Sequence, residues 1–106
     1  MSSREIDKEM ARVVLVNEAY ANWYMRMDRA LARFGGGRID GVAADAQRCL
    51  EAALSGIEEW LDTVYERGMD PEEADFRFLE HSNAAVGMGH RAPSRVIGRE
   101  MMRSGG

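Results

Sequence analysis

The chain has 106 residues, 45% of them apolar and 30% charged, with one cysteine, two prolines and a formal charge of −4. That leaves room for one domain with one core, and it excludes a wholly disordered chain, a collagen-like repeat and a disulfide-stapled scaffold. Cys49 cannot form an intrachain disulfide, the charged start MSSREIDKEM is unlike a signal peptide, and the longest apolar run is only Val13 to Val16. The expected location is a reducing cytoplasm, not a membrane.

Ser2-Ser3-Arg4-Glu5 reads as a capping box, with Ser2 accepting from the backbone of Glu5. It opens a helix predicted over residues 3–34. Within it Ile6, Met10, Val13, Asn17, Tyr20, Tyr24, Met27, Leu31 and Phe34 recur in an unbroken four-three alternation, the spacing that turns one stripe toward a partner helix. From Ile6 to Phe34 such a helix would span about 43 Å. A sphere holding a chain of this length is only about 34 Å across. Part of the stripe is therefore expected to lie outside the monomer and to be covered by a second copy, making a helical homodimer, parallel or antiparallel, with Met10, Val13, Asn17, Tyr20, Tyr24, Met27 and Leu31 at its interface. Asn17 either fixes the register by pairing with its mate or sits hydrated at the edge of the stripe. Tyr20, Trp23 and Tyr24 crowd one turn and serve either as packing or as an anchor for a foreign partner.

Gly35-Gly36-Gly37 ends the first helix. A second is predicted over 41–67, with Asp40 as N-cap, Gly68 as left-handed terminator, and an apolar stripe of Val42, Ala46, Cys49, Leu50, Ala53, Leu54, Ile57, Trp60, Leu61 and Val64. Asp70-Pro71-Glu72-Glu73 starts a third helix, 71–86, whose Phe76, Leu79, Asn83 and Val86 are expected to face inward. After a joint at Gly87-Met88-Gly89-His90 a short fourth helix covers 93–102, with Val96, Ile97, Met101 and Met102 on its apolar side, and 104–106 fray. No alternating strand pattern occurs. The expectation is an all-α single domain over residues 1–103.

Net charge is +1 over residues 1–34, −4 over 35–69, −4 over 70–86 and +3 over 87–106. An acidic centre is a poor nucleic-acid surface. Glu51, Glu58, Asp62 and Glu66, with Glu59 alongside and Glu72, Glu73 and Asp75 following, form an acidic stripe on the outward side of the second helix: a solvated face, or one that steers an electropositive partner. The tail spaces Arg91, Arg95, Arg99 and Arg103 by four. It is expected to lie on the acidic second helix of its own or a sister chain; the alternative is a small regulator whose tail contacts nucleic-acid phosphates.

Chemistry has little to stand on. The glycine cluster matches neither nucleotide fingerprint. His81 and His90 lack carboxylates at ligand spacing, so no metal is expected. Cys49 sits on an apolar stripe with no nearby base and reads as a small buried hydrophobe. No catalytic residue and no cofactor is expected.

In length, acidic middle and all-helical pattern the chain resembles the small acidic helical proteins with which bacteriophages disable host machinery, such as the Pseudomonas phage inhibitors of the type IV pilus assembly ATPase. The resemblance implies a non-enzymatic dimer acting in the host cytoplasm as an inhibitor or adaptor. Its partner would be a host protein with an electropositive or apolar surface, an ATPase among the candidates. No motif carries a site residue over.

Overall fold

The computed structural model describes the backbone of residues 2–34, 39–86 and 92–105, and side chains over 2–33, 40–80 and 92–100. Among these residues the chain forms helices α1 (Ser3–Phe34), α2 (Ile39–Leu61), α3 (Pro71–Val86) and α4 (Pro93–Gly105), a π turn at Asp62–Glu66, and no strand. The all-α expectation holds. No described helix is long and apolar enough to cross a membrane.

Local signals set most of the boundaries. The Glu5 amide donates to Ser2 Oγ at 3.3 Å, capping α1. Asp70 caps α3 through its Oδ2, which accepts from the Glu72 amide at 3.1 Å, and Pro71 fills the first helical position. Gly68 adopts φ +75°, where a side chain would be strained, and the chain turns there into α3. The glycine runs at 35–37 and 87–90 lie outside the described residues.

Three helix boundaries differ from expectation. Asp40 is not the N-cap, because α2 already begins at Ile39 and Asp40 lies in its first turn. The second helix does not stay α-helical to Arg67: the Arg67 amide reaches back five residues to Asp62 O at 3.1 Å, and Thr63 Oγ1 donates to the Glu59 carbonyl at 2.7 Å. That carbonyl would be the acceptor of the Thr63 amide in a regular α-helix, so the hydroxyl competes for it where the turn widens. Helix α4 continues through residues 103–105, beyond its expected end.

Packing separates the two sides of α1. Ala11, Leu15, Ala19 and Ala30 are buried, whereas Ile6, Met10, Val13, Asn17, Tyr20, Tyr24 and Leu31 are exposed. At about 100° per residue, Leu15 lies roughly half a turn from Ile6 and Tyr24. The four-three stripe thus faces away from this chain's core. The core uses the opposite, alanine-rich side, where small residues let the backbones of α1 and α2 come close. The α2 stripe is inward as expected: Ala46, Cys49, Leu50, Ala53, Ile57, Trp60 and Leu61 are buried.

On α3 the inward residues are Ala74, Asp75 and Phe78, with Leu79 half-buried; Phe76 is 69% exposed and points outward, against expectation. Packing here follows Phe78, whose ring lies over Gly56 of α2. Asn83 and Val86 lie outside the residues with described side chains. Leu15, Ile57, Phe78 and Val96, one from each helix, line a gap of only about 30 Å³ where the four elements meet. The molecule measures 50 × 32 × 22 Å. A 32-residue helix is about 48 Å long, so α1 runs the full length of the body.

Candidate functional site

The acidic stripe of α2 is partly committed to its own chain. Arg12 grips Glu58 with two parallel bonds, Nε to Oε2 at 2.8 Å and Nη2 to Oε1 at 2.9 Å. Lys8 Nζ meets Glu66 Oε1 at 3.1 Å. The fork ties α1 to α2 and the Lys8 ion pair ties it to the π turn, and the Arg12 hydrogen bonds are the main reason the Glu58 carboxyl is held below its ordinary pKa. Bonds to Glu58, then to Glu9, hold the Arg12 guanidinium above its own ordinary value. Asp62 lies 3.5 Å from Arg67, and Glu51 accepts from Gln47 at 3.5 Å. Glu51 and Glu59 remain exposed on the outer side of α2, and Glu72 and Glu73 continue the acidic surface onto α3.

Among the described residues, the arginine tail does not lie on the acidic stripe of its own chain. Helix α4 packs mainly on α1 and α3, and Arg99 Nη2 approaches Glu18 Oε1 of α1 at 3.6 Å. Arg95 is exposed. Arg91 and the side chain of Arg103 lie outside the described residues, as do the side chains of His81 and His90. A cleft of about 870 Å³ opens between α3 and α4, with Phe76, Leu79 and Val96 as its apolar lining and Arg95 at its edge. Among the described residues no group of three or more His, Cys, Asp and Glu is placed to hold a metal.

One polar cluster corrects the sequence reading, which set Asp75 with Glu72 and Glu73 as a continuation of the outward acidic stripe. Asp75 is 7% exposed. Its carboxylate accepts the Trp60 indole N–H at 2.9 Å, the Ser94 amide at 3.1 Å and the Ser94 hydroxyl. The acid thereby caps the first turn of α4 from another helix. Pro93-Ser94 hinted at a helix start, but nothing local identifies a cap donated across space.

The outer face of α1 is the other feature of note. Met10 is 63% exposed, Val13 58%, Tyr24 69%, Met25 54% and Leu31 54%, with Ile6 and Tyr20 at 45%. Met27 is half-buried. Trp23 packs against the core and meets the Tyr24 ring edge-to-face at 5.4 Å, so the aromatic group divides, Trp23 inward and Tyr20 and Tyr24 outward. Between residues 13 and 25 the only charged side chain is Glu18, which lies on the flank toward α4. The six of these large apolar residues on the stripe, all but Met25, which lies about 100° round the helix from Tyr24, expose on the order of 700 Å², close to the roughly 800 Å² each partner buries in a standard-size interface. Monomer surfaces rarely carry a contiguous apolar patch above roughly 300–600 Å². No protein-family model, curated protein or solved structure matches this chain.

Proposed function

We propose that this chain is a non-enzymatic protein-interaction module that self-associates through α1 and, as a dimer, binds and occludes a partner protein in the manner of an inhibitor or adaptor. The observation that carries the reading is the exposed apolar face of α1 from Ile6 to Leu31, on the side opposite its core and free of charged side chains between Val13 and Tyr24. Leaving that area in water costs roughly 25 cal/mol per Å², so a covering surface is strongly favoured. Glu51, Glu59, Glu72 and Glu73, exposed on α2 and α3, keep the dimer acidic. That charge steers an electropositive partner and speeds encounter. The resemblance to phage inhibitors makes a host protein the natural target class.

Sedimentation of the purified protein at micromolar concentration tests the reading. The wild type is expected at twice the 11.9 kDa of one chain, and Val13→Glu at the monomer mass with unchanged helicity, since Val13 touches solvent and not the core. A wild-type monomer would overturn the proposal. Target capture is scored separately: Glu51→Lys with Glu59→Lys should weaken it while leaving the dimer intact.

A further inference from the structure

We infer that the second copy docks antiparallel, in a register that sets each stripe residue of one α1 beside the residue of the other whose number completes 37. The inference rests on the proposed self-association and specifies its geometry. In this register Ile6 faces Leu31 of the second copy, Met10 faces Met27, Val13 faces Tyr24, and Asn17 faces Tyr20. The two-fold axis passes between Asn17 and Tyr20.

Side-chain size selects this arrangement over the parallel one. Parallel pairing would stack Tyr20 on Tyr20 and Tyr24 on Tyr24 beside thin layers of Val13 and Asn17, although interaxial distance must stay nearly constant along two straight helices. Antiparallel pairing sets each tyrosine against a smaller residue, so the layers have similar thickness. The two Asn17 side chains then lie in neighbouring layers about 4.5 Å apart along the axis, close enough for their amides to satisfy one another and fix the register. Charge points the same way. In the antiparallel pair the helix dipoles oppose, each α1 N-terminus lying beside the C-terminus of the other copy.

Disulfide trapping decides the matter. On a Cys49→Ala background, Ile6→Cys and Leu31→Cys chains are mixed in equal amounts and oxidised; both positions are solvent-exposed, so helicity should be retained. The mixed disulfide is expected to dominate, because two Ile6 positions of an antiparallel pair lie about 37 Å apart. Met10→Cys with Met27→Cys, one layer inward, repeats the test should either end variant lose helicity. Dominance of the Ile6→Cys self-disulfide would overturn the antiparallel register. A dimer that traps neither pair would also overturn it while leaving self-association standing, whereas a monomer by sedimentation would overturn the proposed function itself.

Discussion

The indole N–H of Trp60 donates to Asp75 at 2.9 Å, and the same carboxylate accepts from Ser94, so one buried acid ties α2, α3 and α4 together. Asp75→Ala strips the buried Trp60 indole and the part-buried Ser94 amide of their acceptor, and an unmet buried donor costs about 1–3 kcal/mol. The expected loss of folding stability is about 2–4 kcal/mol, read as a lower urea midpoint. Asp75→Asn keeps one carbonyl acceptor and should lose clearly less. Equal losses for the two variants would mean that the carboxylate is not acting as an acceptor.

The Arg12–Glu58 fork predicts a pH dependence. Because Arg12 holds the Glu58 carboxyl below its ordinary value of 4.5 in the folded chain, the pair's contribution is fully present above that value. It disappears as pH falls through the lower folded pKa. The Glu58 side chain is 54% exposed, so solvent screening limits the contribution to about 0.2–1 kcal/mol. Denaturation midpoints between pH 7 and pH 3 should therefore fall less steeply for Glu58→Gln than for wild type. The same geometry makes Glu58→Lys and Glu66→Lys unsuitable for probing partner binding. Each would put a cation against Arg12 or Lys8 and loosen α1 from α2 or from the π turn.

Glycines offer an internal comparison. A Cβ on Gly56 would sit 2.9 Å from Phe78 Cε2 and 3.0 Å from Cδ2, against a buried ring, while one on Gly41 or Gly98 would meet nothing within 4 Å. Gly98→Ala and Gly41→Ala should each stabilise, by up to about 1 kcal/mol, through helix propensity. Gly56→Ala gains the same propensity but must displace the ring, for a net loss of about 1–3 kcal/mol. Thermal melts of the three variants check the ordering.

The two tryptophans should respond in opposite ways to phenylalanine. Among the described residues, Trp23 Nε1 is a buried donor without a hydrogen-bond partner, whereas Trp60 Nε1 is bonded. Trp23→Phe removes an unmet donor and is expected to be neutral or stabilising. Trp60→Phe deprives Asp75 of a donor and should cost about 1–3 kcal/mol. Urea denaturation of both variants tests the contrast.

What the sequence determined was local. Ser2, Asp70, Pro71 and Gly68 announce helix ends because each acts through its own backbone or one a few residues away. The α2 stripe was legible because it is the only apolar side that helix has. Helix α1 has two apolar sides, and periodicity recognises the larger residues of Ile6 to Leu31 before the small ones at Ala11, Ala19 and Ala30. Choosing between them is a pairwise matter, since how closely α1 approaches α2 depends on both surfaces. The same holds for Phe76 and Phe78, whose inward member is set by the space above Gly56. It holds again for Glu58, an outward acid until Arg12 arrives from another helix, and for Asp75, a cap for a helix that begins eighteen residues later. Only tertiary structure could decide these, because each depends on an atom that the chain brings near by folding and not by sequence proximity.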